Sequence, residues 1–182
     1  MANSQSAALE ALALPNQKPA ESDLVLLAHA VLLGLEDSTL VPLQPVEHDG
    51  WTPTVQRCHD NVEHWVSIHP ECKPVQGWLY MDMGLICAAR GIPRYVDLLP
   101  HTVLRSGAGH LLDITPRHAD ASGELYPFIR HPGPADEYTA FVDGRSIGRV
   151  RIYTAESPPR FVYSCNLSGR GGILRGRVAK PL

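Results

Sequence analysis

The hydrophobic pattern predicts helices in the first third of the chain. An apolar run at 24–35 follows Ser22, which is a good capping residue, and predicts a buried helix from about residue 22 to 35. Apolar residues also follow Cys58 at spacings of four, seven and eight, which places them on one helical face with it. This second helix would run from about 57 to 68 and end before a proline.

Extended segments separated by turn residues follow the helices. The predicted strands are Val75–Met83, Tyr95–Arg105, Leu111–Thr115, Tyr138–Val142, Ile147–Thr154 and Arg160–Cys165. A Gly-rich turn at 106–109 makes a hairpin of the second and third, Asp143-Gly144 is a turn signal between the fourth and fifth, and 117–137 is predicted to be loop. Helices followed by an antiparallel run of strands predict an α+β fold, with N-terminal helices packed on the sheet.

Composition divides the chain into three parts. Residues 1–20 are small and polar and are expected to form a flexible arm, and 21–167 would form a single α+β domain. Residues 168–182 form a basic tail in which glycines alternate with arginines. A solvated terminus is favoured there over a phosphate-binding segment, because the tail has no aromatic residue.

Charge and cysteine usage narrow the class of protein. The net charge is -3 and hydrophobic residues make up 44% of the chain, so neither nucleic acid nor a membrane surface is an expected partner. The apolar run at 24–35 is too short to span a bilayer, and the first residues lack the basic start of a signal peptide. The four cysteines form no CxxC pair, so we expect reduced thiols in a cytoplasmic protein.

Three residues in chain order suit a thiol hydrolase. Cys58 opens the second helix, where unpaired N–H groups and the helix dipole stabilise a thiolate. His101 would act as base and then as acid, and Asp113 would orient its imidazole. With a hairpin turn centred on residues 107 and 108, His101 would pair near residue 113 or 114, so that the two side chains lie close together. This arrangement of a helix-start cysteine with a histidine and a carboxylate on strands is that of papain-like and transglutaminase-like enzymes.

The oxyanion hole and substrate contacts are less defined by the sequence. The backbone N–H of Cys58 would supply one donor. Gln56 and Asn61 are candidates for a side-chain donor, although Asn61 would equally suit a hydrogen bond to a neighbouring loop. Trp78 is a candidate substrate contact and, alternatively, a core residue.

The motifs resemble those of a known family. Cys58-His59-Asp60-Asn61-Val62 is similar to the Cys-x-x-Asn-Val start of protein N-terminal glutamine amidohydrolases, and His101-Thr102-Val103-Leu104 to their His-x-Val-Leu segment. With Gly77-Trp78 and Asp113-Ile114-Thr115-Pro116, these landmarks also resemble a group of small uncharacterised bacterial proteins. The likeness covers about residues 55 to 118. It implies an α+β thiol enzyme with a Cys-His-Asp triad, and glutamine deamidation rather than peptide cleavage.

The sequence therefore predicts a cysteine-dependent amide hydrolase without a cofactor, acting on a protein, a peptide or a small amide. Two alternatives remain open: a non-enzymatic module on the same fold that binds a peptide or small ligand, and a secreted effector with protease or deamidase activity. Zinc held by Cys58, His59, His64 and His101 is disfavoured, since His59 and His64 are five residues apart on one helix.

Overall fold

Helices and one antiparallel sheet build the fold, so the predicted α+β class is confirmed. The structure, a computed structural model, describes residues 21–117, 125–142, 147–153, 160–165 and 173–177. The helices are α1 (Glu21–Leu33), α2 (Cys58–Ile68), α3 (Gly84–Arg90) and α4 (Ala135–Val142). The strands are β1 (Thr39–Leu40), β2 (Lys73–Asp82), β3 (Val96–Arg105), β4 (Leu111–Leu112), β5 (Pro127–Arg130), β6 (Ile147–Tyr153), β7 (Arg160–Cys165) and β8 (Ile173–Arg177). Within these ranges no helix is both long and apolar enough to cross a membrane.

Strands β2 and β3 form the centre of the sheet. They pair antiparallel over their whole length, from Lys73 opposite Arg105 to Asp82 opposite Val96. The strand order is β1-β5-β2-β3-β6-β7-β8, with the short β4 also on β3. All of these ladders are antiparallel.

The two faces of the sheet have different roles. On one, which we call the helical face, Trp78 and Leu98 pack against the helices α1 and α4. Side chains of a strand alternate between faces, so Leu79, Leu99 and His101 point to the other face, which we call the cavity face. A smaller apolar cluster lies there, made of Val41, Val103, Phe128, Val75, Leu79 and Leu111.

Strand β3 has a gap in its pairing on the side away from β2. It pairs with β6 at residues 96–98 and with β4 at 104–105. Between these two ladders, in the part of the chain that the structure describes, no strand pairs with that side of 99–103. Pro100, which has no N–H to donate to a ladder, lies in this gap. Strand β3 thus lies inside the sheet but is open locally at this point.

Several predicted elements are correct. The helices at 22–35 and 57–68 correspond to α1 and α2, and the strands at 75–83, 95–105, 147–154 and 160–165 correspond to β2, β3, β6 and β7. The turn at 106–109 is also present, with Gly109 at φ 89° and its N–H donating to the Ser106 carbonyl at 2.8 Å.

Others are wrong. Residues 138–142 belong to helix α4, whose first turn carries Asp136 and Glu137, the charges that a helix N-terminus favours. The segment 117–137, predicted as loop, contains β5, and α3 was not predicted. Helix α3 ends at Gly91, in the left-handed conformation at φ 62° that commonly stops a helix.

Three further regions complete the comparison with the sequence. The strand predicted at 111–115 is paired at 111–112 and then leaves the ladder. The basic tail includes β8, whose backbone pairs with β7. The predicted arm at 1–20 and the turn at Asp143-Gly144 lie outside the described residues.

Candidate active site

Cys58 is the first residue of α2, and the helix start is not capped by a side chain. Its N-cap residue, Arg57, makes no side-chain hydrogen bond to the first turn. The first N–H groups of a helix have no partner within the helix, so they face the region around the thiol. Cys58 is 8% exposed, and it lies against β3 at the gap in that strand's pairing.

His101 and Asp113 are hydrogen-bonded to each other. His101 Nε2 donates to Asp113 Oδ2 at 3.0 Å, and both side chains are buried. The other oxygen, Oδ1, accepts the Thr115 N–H at 3.0 Å. Because Nε2 is used by Asp113, the imidazole has Nδ1 left for the thiol of Cys58, to which it is also hydrogen-bonded.

The chain around Asp113 is fixed from the opposite side by the loop that precedes α2. The Asp113 N–H donates to the Pro42 carbonyl at 2.9 Å, and the Gln44 N–H donates to the Asp113 carbonyl at 2.7 Å. These bonds form an isolated parallel bridge between Leu43 and Asp113. The carboxylate is therefore held in place although the β3–β4 ladder has already ended.

The pairing of β3 with β4 explains how His101 and Asp113 meet. Leu104 is opposite Leu112, so the same register would place residue 113 opposite 103 and diagonal to His101 on the same face. The register predicted from the sequence, with His101 opposite 113 or 114, is wrong. The two side chains nevertheless meet, because a diagonal pair is within reach of an imidazole.

The protonation states of Cys58 and His101 are shifted towards a thiolate and an imidazolium. Burial disfavours the thiolate, but hydrogen bonds and positive charge from His101 and His59 outweigh it and lower the pKa of Cys58 from 9.0 to about 6. Burial likewise disfavours the imidazolium, but hydrogen bonds to Asp113 and Cys58 outweigh it and raise the pKa of His101 to about 10. Near neutral pH the pair is therefore Cys58 thiolate and His101 imidazolium.

His59 is a second imidazole beside the thiol. From the sequence alone it was considered only as a disfavoured zinc ligand. Its Nδ1 is hydrogen-bonded to Thr102 Oγ1 at 2.6 Å, and it also hydrogen-bonds to Cys58. Thr102 is the neighbour of His101 on β3, so one short stretch of strand positions both imidazoles. Tyr138 also holds this stretch of β3 in place, since its Oη donates to the His101 carbonyl at 3.2 Å.

Asn61 holds the loop before α2. Its Oδ1 accepts the Thr54 N–H at 2.9 Å, and its Nδ2 donates to the Thr54 carbonyl at 2.7 Å and to Thr115 Oγ1 at 3.3 Å. Both N–H donors of the amide are thus engaged, which leaves none for an oxyanion. The alternative interpretation, a hydrogen bond to a neighbouring loop, describes its position.

Gln56 stands in the loop that Asn61 holds. It is exposed, it lines the same cavity as Cys58, and it makes no side-chain hydrogen bond to any described residue. Its φ of 63° is in the left-handed region, which is uncommon for a residue with a side chain. Strain of this kind often occurs at functional sites, so Gln56 remains the candidate for a side-chain oxyanion donor.

Trp78 belongs to the core and does not line the cavity. It is 1% exposed, and it pairs with Pro100, which puts it on the helical face. Its indole Nε1 donates to His131 Nδ1 at 3.3 Å. The preceding residue, Gly77, is opposite His101, and a Cβ there would collide with the Ile129 carbonyl and the Phe128 ring. The Gly-Trp pair thus serves the packing of β5 on β2.

The triad opens onto a cavity of about 660 Å³ on the cavity face. This volume is within the range of about 300–1,000 Å³ that is usual for small-ligand sites. Val41, Leu79, Met81, Leu99 and Val103 make an apolar part of the wall, while Gln56, Tyr126, Arg117 and Arg149 add polar groups.

The four residues considered for zinc do not all lie together. His64 stacks on Trp51, with ring centroids 4.2 Å apart, instead of joining His59 and Cys58. Among the described residues, no three of the types His, Cys, Asp and Glu come close enough to form a metal site.

Comparison with known proteins adds no relative: no family model, curated protein or solved structure matches the chain.

Proposed function

We propose that the protein is a cysteine-dependent amide hydrolase in which Cys58 is the nucleophile, His101 the general acid and base, and Asp113 the residue that orients His101. The observation that carries this proposal is the hydrogen-bonded row of thiol, imidazole and carboxylate at the wall of a cavity. Each part is buried enough to exclude bulk water, yet the row lines a space that a substrate can enter.

In the first step, the Cys58 thiolate attacks the amide carbonyl carbon, and the carbonyl π electrons move to oxygen. The Cys58 backbone N–H and Gln56 stabilise the resulting oxyanion. The His101 imidazolium then gives a proton to the amide nitrogen, the C–N bond breaks, and a neutral amine or ammonia leaves a thioester on Cys58.

In the second step, neutral His101 takes a proton from water, and the hydroxide attacks the thioester carbonyl. The tetrahedral intermediate expels the Cys58 thiolate and releases a carboxylic acid, and His101 is again an imidazolium. Asp113 favours this charged state of His101 and fixes the ring. The motif resemblance favours ammonia as the leaving group, and thus a side-chain amide as the substrate.

The test combines alkylation with hydrolysis. Iodoacetamide at pH 6 is expected to label Cys58 faster than any other cysteine, because near that pH about half of Cys58 is thiolate while an unperturbed thiol is almost fully protonated. Hydrolysis of an acyl p-nitroanilide panel and ammonia release from glutamine peptides should both disappear in Cys58→Ala.

Cys72 provides a matched control. It is 7% exposed, close to the value for Cys58, but it packs in an apolar cluster with Val62, Leu104 and Ile114. Cys72→Ala should keep its activity per folded molecule. Equal labelling rates at Cys58 and Cys72, together with hydrolysis that survives in Cys58→Ala, would refute the proposal.

A further inference from the structure

Positive charge prevails among the charged side chains that line the cavity. Among the described residues that line the cavity, the charged side chains outside the Cys58–His101–Asp113 row are the guanidinium groups of Arg117 and Arg149. The carboxylate of the row is already paired with His101. A substrate that enters the cavity therefore meets excess positive charge beside the thiol.

Arg149 is held at the cavity by a carboxylate that another arginine already satisfies. Asp97 accepts two hydrogen bonds from Arg151, from Nε at 2.8 Å and from Nη2 at 2.9 Å. This is the fork geometry in which both carboxylate oxygens are used. Arg149 Nη1 lies 3.5 Å from one of the same oxygens.

The exposure of the three side chains fits this division of roles. The side chain of Asp97 is 5% exposed, that of Arg151 is 25% exposed and that of Arg149 is 44% exposed. Two guanidinium groups share one carboxylate, so this cluster carries one uncompensated positive charge. Arg149 is the member with N–H groups available towards the cavity, and it makes no hydrogen bond to the carboxylate it faces.

The register of β3 and β6 places Arg149 close to the catalytic row. Asp97 is opposite Arg151 and Leu98 is opposite Val150, so the next position puts Arg149 beside Leu99 on the cavity face. His101 is two residues farther along the same face of β3, so positions 99 and 101 are about 7 Å apart. The long side chain of Arg149, which lies on the neighbouring strand, and an acyl chain of a few methylene groups would together bridge from this position to Cys58.

We propose that Arg149 binds a carboxylate of the substrate, so that the enzyme acts on amides whose acyl part carries a carboxylate a few bonds from the scissile carbonyl. A glutaryl amide is the simplest compound of this class. The inference rests on the proposed hydrolase function and specifies its substrate. The same positive charge disfavours an acyl group that carries a free ammonium at that position, as an N-terminal glutamine does.

A labelling experiment tests the anion site without a known substrate. N-Iodoacetylglycine and N-iodoacetylglycinamide alkylate the same thiolate and differ in whether they end in a carboxylate, which is as many bonds from the reacting carbon as the carboxylate of a glutaryl amide is from the scissile carbonyl. In Arg149→Gln, the rate of Cys58 alkylation by N-iodoacetylglycine should fall by about tenfold, the loss expected for one charged hydrogen-bonding partner. The rate with N-iodoacetylglycinamide should not change, which also shows that the variant is folded around an activated thiol.

Two further variants control the experiment. Arg90→Gln removes an equal charge from an exposed residue of α3 that does not line the cavity, and it should leave both rates unchanged. Arg149→Lys keeps the charge but loses the fork, so its rate with N-iodoacetylglycine should lie between those of the parent and Arg149→Gln. The parent protein should also hydrolyse glutaryl p-nitroanilide faster than pentanoyl p-nitroanilide, which has a methyl group in place of the carboxylate.

The outcomes separate this inference from the proposed function. If Cys58 reacts rapidly with both reagents and Arg149→Gln leaves their ratio unchanged, the anion site is refuted and the hydrolase stands. The same holds if the parent hydrolyses the pentanoyl compound as well as the glutaryl one. If Cys58 reacts no faster than Cys72 with either reagent, the hydrolase itself fails.

Discussion

Replacing His101 with glutamine tests whether the imidazole lowers the pKa of Cys58. Glutamine is similar in length to histidine, and its amide N–H still donates to Asp113, so the carboxylate is not left buried without a partner. The change removes the positive charge and the hydrogen bond that act on the thiol. The remaining influences on Cys58 are burial, which raises its pKa, and His59, which lowers it.

The size of the effect follows from the shift at Cys58. Its pKa moves from 9.0 to about 6, which corresponds to about 4 kcal/mol in favour of the thiolate. At pH 7 about nine-tenths of the thiol is ionised with a pKa near 6, and about one part in a hundred with a pKa near 9. We expect His101→Gln to move the pKa of Cys58 most of the way back, with His59 retaining a smaller part of the shift.

The assay is the pH dependence of iodoacetamide alkylation at Cys58, followed by mass spectrometry and by thiolate absorbance. The midpoint should move from about 6 in the parent towards 9 in His101→Gln. His64→Gln is the matched control, because it removes a histidine from the same helix that stacks on Trp51 and not on the thiol. A midpoint that stays near 6 in His101→Gln would show that the imidazole does not activate Cys58.

Two further predictions concern the pH profile and the loop before α2. Hydrolysis should rise with pH through about 6 as Cys58 ionises and fall through about 10 as His101 loses the proton that the leaving group needs. These two values belong to the coupled pair. A pH profile that only rises or only falls would contradict the pairing of the two groups. Asn61→Ala removes the two hydrogen bonds to Thr54 and the one to Thr115, so urea unfolding should show a loss of about 2–3 kcal/mol. Ser67→Ala on the exposed side of the helix should cost less than about 0.5 kcal/mol.

Local signals made α2 and the central strands predictable from the sequence. The apolar spacing after Cys58 and the proline after Ile68 define one helix, and apolar and aromatic segments between turn residues indicate β2 and β3. The segment 138–142 was misassigned because Tyr, Phe and Val favour strands, while acidic residues in the preceding turn stabilise a helix there. Local preference was overridden by the first-turn charges and by packing on the helical face.

The candidate triad could be proposed from chain order, but its geometry depends on contacts that are distant in sequence. Asp113 is aligned by Pro42 and Gln44, about seventy residues earlier, and no periodicity near Asp113 indicates that bridge. The hairpin register was misassigned for the same reason: a two-pair ladder is too short for its residue types to specify which positions face each other.

Arg149 shows why a substrate-binding residue is harder to find in a sequence than a nucleophile. A cysteine at a helix start has a local signature, whereas Arg149 is one of two arginines in β6 and has no signature of its own. Arg149 is available to bind a substrate because Arg151 makes the two hydrogen bonds to Asp97 and leaves Arg149 facing the cavity. That competition is settled by the pairing of β3 with β6. Specificity in this site is therefore a property of the sheet, since it depends on which of two arginines reaches a buried carboxylate in the better geometry.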